Sequence, residues 1–467
     1  MQIRLFNQNI RLPLLLLAAV EGAVLSLAVV VAQSPPLTAL GIADNGAPRV
    51  WQASIVAVVL LVAFLALGLY QFNQRFNYRE VLARLIVAFA GGWLVLAATY
   101  FAFPEISLSR SAGLASVVLG FIGVFAIRYA FLRTVDQNIF RRRCLVLGGG
   151  ENAINVAMLR RASDRRGFRV IGYVCASESK PRINEVQTDA RVIEHDRPLA
   201  DIAAAFDVDE IVVALDDRRG SLPVKELVGA RLSGVTVTDL LGFFERETGK
   251  VRLDFLRPSW IIFSDGFAMG GVRGLSKRLL DLAIAIPALL VVSPVMLATA
   301  IAILAEGTGR SVFYRQIRVG ERGQDFGVLK FRSMREDAEA DGKPQWATQD
   351  DKRVTAVGRF IRKVRIDELP QLLNVIRGEM SVVGPRPERP AFVEQLSADI
   401  PFYAERHCIK PGITGWAQLR YPYGASQQDA IEKLQYDLYY VKHQSLLFDL
   451  AIMLQTAEVL LFGKGAR

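Results

Sequence analysis

Two adjacent carboxylates, Asp367 and Glu368, stand in the stretch RFIRKVRIDELPQLLNVI (359–376), crowded by cations. A carboxylate can attack phosphorus and form an acyl phosphate. A second carboxylate beside it can hold Mg²⁺, whose charge offsets that of phosphates. Lys330 and Arg332 in KFRSMR (330–335), together with Arg365, supply positive charge of the kind a phosphoryl transition state needs. Arg386 lies between Pro385 and Pro387. The prolines restrict the backbone on both sides, and a pre-positioned guanidinium can fork onto a phosphate. Each feature also has an ordinary alternative. Asp367 ahead of Pro370 reads equally as the N-cap of a helix. The basic run reads as a solvated face, and the proline-bracketed arginine as a stiff loop.

These residues need elements to carry them. A period of two puts Lys330 and Arg332 on one face of a short strand. Arg359, Arg362 and Lys363 recur at helical spacing with Phe360, Ile361 and Val364 elsewhere, a pattern suited to a membrane surface. KPGITGWAQ (410–418) is turn-rich. KLQYDLYYV (433–441) carries Asp437, which like Asp449 is expected at most to support the dyad. Leu446–Leu461 is apolar but interrupted by Asp449, Gln455 and Glu458, and reads as an amphipathic helix.

The whole chain has 467 residues, 52% hydrophobic and 22% charged, which suggests a membrane protein with sizeable soluble parts. The net charge of +10 suits anionic lipid or phosphorylated substrates; no nucleic-acid-reading pattern accompanies it. Cys144, Cys175 and Cys408 form no framework and are expected to be reduced thiols. The three histidines lack metal-ligand spacing.

Four apolar stretches of spanning length come first, roughly Leu12–Ala32, Ala53–Tyr70, Val81–Phe103 and Ala112–Ile127. Arg4 and Arg11, then Arg75, Arg79 and Arg84, then Arg128, Arg133 and Arg141 to Arg143 mark one side of them; the other two loops hold only Arg49 and Arg110. Positive charge stays cytoplasmic, which places the N-terminus and everything after residue 128 inside. Glu21 sits within the first span with no partner evident from sequence, and burial against another helix is its expected fate.

Residues 135–250 alternate short apolar runs (CLVLG, FRVIGYV, EIVVAL, VTVTDL) with helical patterns, the signature of a parallel Rossmann-like sheet. Gly148, Gly150 and Ala153 make a G-x-G-x-x-A turn that could cradle a diphosphate. No acidic residue closes the second strand, so a tight turn in a scaffold or regulatory module is the stronger reading.

A further apolar run, about Leu282 to Ala305, contains Ser293-Pro294 and Pro287. Lys277 and Arg278 precede it; Arg310, Arg315 and Arg318 follow, so both ends carry the cytoplasmic signature. Pro294 should kink or break the helix, and the Ser293 hydroxyl can satisfy the freed carbonyl. A re-entrant helix–break–helix is expected, with a kinked fifth span as the alternative.

KFRSM, RIDELPQLLNVIRGEMSVVGPRP, KPGITGWAQ and KLQYDLYYV, in this order, resemble the bacterial polyprenol-phosphate phosphoglycosyl transferases over about residues 275–467. Four spans and a Rossmann-like module ahead of them resemble that family's large branch with a monotopic core, which includes initiators of exopolysaccharide and O-antigen synthesis. The resemblance implies transfer of sugar-1-phosphate from a UDP-sugar to undecaprenyl phosphate, with release of UMP. It implies Asp367 as nucleophile, Glu368 assisting Mg²⁺, Ser293-Pro294 as the re-entrant break, and Pro385-Arg386-Pro387 as a loop associated with the nucleotide. EGTGRSVF (306–313) departs from the family's usual Ser-Pro-Gly-Pro-like turn.

The expected architecture is a membrane protein of α and α/β class. A four-helix transmembrane domain (1–134) precedes a Rossmann-like α/β domain (135–250), a linker (251–274) and a mixed α/β catalytic domain (275–467) whose re-entrant helix covers about 279–306. It is expected as a multi-pass protein of the bacterial inner membrane, with its N-terminus and catalytic domain cytoplasmic. Whether the Rossmann-like module pairs two copies into a homodimer stays open. A sugar-nucleotide dehydratase would need a Tyr-x-x-x-Lys pair, and no tyrosine here has Lys four residues on. A membrane scaffold that only binds lipid phosphate stays open as the non-enzymatic alternative.

Overall fold

The computed structural model describes residues 2–5, 8–33, 50–67, 69–70, 78–134, 141–159, 168–175, 182–185, 190–217, 221–256, 258–263, 271–307, 311–335, 353–421, 424 and 426–462. Arg49, Arg75 and Arg310 of the flanking charges, and with Arg310 the middle residues 308–310 of the stretch EGTGRSVF, lie outside them. The chain forms two compact units, Met1–Gly249 and Lys250–Arg467.

The first unit opens with a short antiparallel strand pair, Gln2–Leu5 and Gln8–Arg11, followed by helices α1 (Leu12–Ala32), α2 (Val50–Ala66), α3 (Tyr78–Ala102) and α4 (Arg110–Thr134). Segments 15–32, 84–102 and 111–131 are apolar and long enough to cross a membrane. The expected second span is shorter than the sequence suggested. Helix α2 has 17 residues, about 25 Å against a hydrocarbon core of about 30 Å. It stops because later helices take its trailing carbonyls: Arg84 Nη1 donates to Leu67 O (2.7 Å) and Arg128 Nη1 to Leu69 O (2.9 Å). Both arginines are buried, so these two flanking charges act as helix caps rather than as contacts to lipid head groups. Glu21 finds its partner in Arg128, whose Nε lies 2.7 Å from Oε1 and whose Nη2 donates to Oε2 (2.9 Å), and in the Tyr70 hydroxyl.

The α/β part is a five-stranded sheet of β1 (Arg142–Leu147), β2 (Phe168–Cys175), β3 (Arg191–Glu194), β4 (Glu210–Val213) and β5 (Thr236–Asp239). All neighbours run parallel, in the order β3-β2-β1-β4-β5. That is the Rossmann order expected from the alternation. The apolar parts of the central strands, residues 144–147 of β1 and 211–213 of β4, are buried in the layer with helices α5 (Glu151–Ala157), α6 (Leu199–Ala205), α7 (Val224–Leu232) and α8 (Leu240–Thr248). Strand β3, RVIE, was not foreseen; it is short and polar at both ends.

In the second unit, α9 (Val272–Glu306) is a single 35-residue helix with Pro287 and Pro294 inside it. The expected break is therefore not a gap between two helices. Pro294 has no N–H for the carbonyl of Leu290, and Ser293 Oγ donates to that carbonyl instead (2.8 Å). Both ends of α9 are seated on the unit that follows it. Near its start, Lys277 and Asp281 bond to Val383 O and Val382 N; further along, Ala285 shares a core cluster with Val328, Val375 and Met380, and near the end Ile303 shares one with Phe331 and Ile361. Glu306 Oε1 accepts from the N–H groups of Ala356 (2.8 Å) and Val357 (3.1 Å). Between the two seats the helix is bare: Leu290 is 70% and Val291 77% exposed.

The remaining elements are an antiparallel pair, β6 (Phe313–Val319) and β7 (Asp325–Phe331), and α10 (Ala356–Lys363). Then come α11 (Gln371–Arg377), β8 (Ser381–Val383), α12 (Pro390–Asp399), β9 (Gly412–Thr414), α13 (Gln427–His443) and α14 (Leu446–Phe462). Helix α14 buries Phe448 and Ile452 in the core as an amphipathic helix would, but Asp449 is buried beside them, while Leu446, Leu447 and Leu450 are exposed.

Candidate active site

Asp367 and Glu368 lie on a 3-10 turn, Ile366–Glu368, between α10 and α11. The chain reverses there through Arg365, which adopts the left-handed conformation (φ +60°). Such a conformation costs a non-glycine residue about 1 kcal/mol or more and needs surrounding contacts to hold it. Here it turns the pair toward β7. Asp367 is no helix cap: α11 begins after Pro370 with no side-chain cap, and Asp367 Oδ1 is buried without a hydrogen-bond partner.

Glu368 Oε1 collects the cations. Lys330 Nζ of β7 lies 3.2 Å away, Arg386 Nη2 3.0 Å and Arg365 Nη1 3.8 Å. Burial opposes its charge, but Arg386 and Lys330 outweigh burial and hold its carboxyl down at about 2. Burial and the neighbouring Glu368 instead raise Asp367 above the usual carboxylate range, against the pull of Lys330, Arg362 and Arg365. Burial also lowers Lys330. One carboxylate is thus firmly ionised and neutralised; its neighbour is more basic and has an open oxygen. Arg332 directly follows the last residue of β7, Phe331, and donates its backbone N–H to Val312 O (2.9 Å).

Arg386 reaches Glu368 because its loop is held at every carbonyl. Pro385 O accepts from Gly412 N (2.9 Å), Arg386 O from Arg406 Nη2 (3.0 Å), and Pro387 O from Arg318 Nη1 (3.1 Å). Gly384 and Gly412 permit this close backbone approach, since a Cβ on either would strike the other's segment. Arg406 is buried and is itself fixed by Asp437 (Nε to Oδ2, 3.0 Å) and the Tyr403 hydroxyl (3.1 Å). Strand β8, which leads into the loop, is anchored from α9. Lys277 Nζ donates to Val383 O (3.1 Å) and pairs with Asp449 Oδ2 (2.7 Å), while Asp281 Oδ1 accepts from Ser381 Oγ and Val382 N. Asn374 ties β7 to α11, accepting from Leu329 N (3.0 Å) and donating to Gly327 O (2.8 Å). Sequence reasoning missed Arg406 and Asn374, and took Lys277 for a flanking charge. Nothing in their spacing marks them, because the partners through which they hold the site (Arg386 O and Asp437, Gly327 and Leu329, Val383 O and Asp449) lie tens of residues away.

A family model described as bacterial sugar transferase matches residues 272–463. The undecaprenyl-phosphate galactose phosphotransferase of Salmonella typhimurium is 30% identical over 454 residues, 90% of this chain and 88% of that protein. The chain belongs to the bacterial sugar transferase family. Two further relatives of this sugar transferase match a part of it. The UDP-N-acetylgalactosamine-undecaprenyl-phosphate N-acetylgalactosaminephosphotransferase of Aeromonas hydrophila is 42% identical over 52% of the chain. The UDP-glucose:undecaprenyl-phosphate glucose-1-phosphate transferase of Escherichia coli is 43% identical over 40%. The chain spans about half the length of those two relatives, 56% and 40% respectively.

A second family model, described as CoA-binding domain, matches residues 48–228 of the transferase. The turn at Gly148, Gly150 and Ala153 forms between β1 and α5 as the sequence predicts, but its anion seat is taken. Asp216 accepts from Glu151 N through Oδ2 and from Asn152 N through Oδ1, both at 2.8 Å. These are the N–H groups that a ligand phosphate would use. A Cβ on Gly150 would meet the same carboxylate, so that glycine makes room for the chain's own side chain. The turn does not fit a CoA or dinucleotide diphosphate while Asp216 stays there. Calorimetric titration of the purified protein with CoA or NAD is expected to show no saturable binding. A measured affinity tighter than about 1 mM would show that Asp216 gives way.

Proposed function

We propose that this sugar transferase moves sugar-1-phosphate from a UDP-sugar to undecaprenyl phosphate, releasing UMP, as the first membrane step of exopolysaccharide or O-antigen synthesis. The observation that carries the reading is the asymmetry of the dyad: an open, basic Asp367 beside a Glu368 that gathers Lys330, Arg365 and Arg386. The printed activities of the relatives from Salmonella, Aeromonas and Escherichia point the same way.

In the proposed reaction an Asp367 carboxylate oxygen attacks the phosphorus that bears the sugar. The bridging P–O bond breaks and UMP leaves with its electron pair. A phosphate oxygen of the lipid then attacks the same phosphorus, and the Asp367 carboxylate leaves unchanged. Lys330, Arg365 and Arg386 turn from Glu368 to the diphosphate and stabilise charge on its oxygens. Lys330 and Arg386 start close enough to serve it without large movement.

Two carboxylates fit Mg²⁺, which commonly takes one or two with substrate phosphates as its other ligands. No larger metal-ligating cluster occurs among the described residues. Glu368 would hold the ion, which would add a further positive charge against the diphosphate. Incubation with a UDP-sugar in the absence of lipid is expected to leave a sugar-phosphate adduct on Asp367, seen by peptide mass spectrometry. Transfer without any adduct would make direct displacement the better account.

We further propose that α9 enters the cytoplasmic side of the inner membrane and returns. Support comes from its two seats. Near its start Lys277 and Asp281 bond to β8, and at its last residue Glu306 bonds to the N–H groups of Ala356 and Val357, so one compact unit holds both ends, whereas a crossing helix carries its ends to opposite faces of a core about 30 Å thick. Arg273→Cys and Ala305→Cys, in a chain with Cys144, Cys175 and Cys408 replaced by serine, are both expected to resist a membrane-impermeant thiol reagent applied to intact cells. Labelling of Ala305→Cys from outside would establish a crossing helix instead.

A further inference from the structure

A cavity of about 180 Å³ opens between α12, the turn Ala404–Cys408 and α13. It is smaller than the about 300–1,000 Å³ of sites for drug-sized ligands, so it admits one ring rather than a whole sugar nucleotide. Its floor is the buried pair Arg406 and Asp437; Glu388 and Lys433 line its walls. The floor touches the catalytic loop directly, because Arg406 Nη2 holds Arg386 O while the Arg386 guanidinium reaches Glu368. The cavity and the dyad therefore lie on two sides of one loop residue. The Arg386 guanidinium also acts on the charge of Lys433 in the cavity wall, so a donor whose diphosphate meets Arg386 has one end directed toward the cavity.

The lining chemistry selects which end. Glu388, Asp399 and Asp437 contribute carboxylates, which accept hydrogen bonds and donate none when ionised. A polyol ring offers several O–H donors to such walls; a uracil ring offers one N–H. Phe392 adds an apolar surface for the C–H face of a sugar, and Gln395 and Gln427 add groups that both donate and accept. Neither glutamine belongs to the dyad or its supporting loop.

We propose that this cavity receives the glycosyl ring of the donor, with Phe392, Gln395 and Gln427 as side chains that set which sugar is accepted. The inference rests on the UDP-sugar reading above. It is tested with UDP-glucose, UDP-galactose and UDP-N-acetylgalactosamine on the full-length protein and on Phe392→Ala, Gln395→Ala and Gln427→Ala. The two glutamines are exposed, so their variants should fold even if the Phe392 variant does not. The expected result is a change of about 10-fold or more in the kcat/KM ratio between sugars, with inhibition by UMP unchanged within about twofold. Ratios preserved with weakened UMP inhibition would seat the nucleoside there and overturn the proposal. Ratios and inhibition both preserved would remove the cavity from donor binding. A wild-type protein inactive on any UDP-sugar would instead strike the reading on which the inference rests.

Discussion

Asp367→Asn is expected to lower UMP release by roughly 1,000-fold or more, because the amide keeps the volume and loses the attacking charge. The fold should survive. Asp367 already strains the folded state, being buried with Oδ1 unpartnered and its pKa raised. Removing its charge relieves that strain, so the melting temperature should hold or rise while activity vanishes. The acid limb of kcat/KM in the wild type should reflect the same group. A nucleophilic carboxylate must be ionised, so activity falls as pH drops through the raised Asp367 pKa. Glu368→Gln removes the neighbouring charge that, together with burial, raises it, and leaves Lys330, Arg362 and Arg365 acting. The limb should then move to lower pH even as the maximal rate falls. A limb that stays in place would assign the titration elsewhere, and wild-type turnover in Asp367→Asn would end the nucleophile assignment.

Arg406→Ala is expected to cost about 3–5 kcal/mol of stability, since it leaves Asp437 buried without its cation. The loss should depend on pH with a definite sign. Burial already raises the Asp437 pKa, and Arg406 opposes that rise. Without Arg406 the pKa climbs further, so the penalty for burying the carboxylate shrinks as pH falls through it. Denaturant unfolding at neutral and acidic pH measures this. Arg406→Lys keeps a charge but cannot reach Asp437, Tyr403 and Arg386 O together. It should fold better than the alanine variant yet weaken UDP-sugar binding, because the Pro385-Arg386-Pro387 loop loses its central anchor. Arg406→Lys with unchanged KM would reduce Arg406 to a packing role.

How far the site was legible depends on how local each signal is. Asp367 and Glu368 stand together in sequence, and Arg386 is bracketed by its own prolines, so residue types and spacing were enough to single them out. Lys330 was found from the two-residue period of a short strand, β7, which runs to Phe331. Ser293 and Pro294 were read correctly as a serine answering for a proline, an i−3 matter within one helix. The expected gap did not follow, because one substituted hydrogen bond lets the helix continue. Lys277 and Asp449 went the other way. Read one at a time, they are a flanking cation and a polar interruption in an apolar helix. Together, 2.7 Å apart, they are a buried pair that anchors α9 beside β8.

The sequence by itself determined most of the kinds of element and singled out the candidate reacting groups, because hydrophobic period, proline and neighbouring charge act over a few residues. It determined that Rossmann strands would alternate with helices, and that a glycine turn would follow the first strand. Only the tertiary structure decided what those elements hold. It filled the glycine turn with Asp216 from another strand's end, gave Glu21 to Arg128, and turned Asp449 inward to Lys277. It also decided that three cations meet on Glu368 and leave Asp367 the open carboxylate. Charges pair across distance in space, and separation along the chain carries no record of which partner burial will bring.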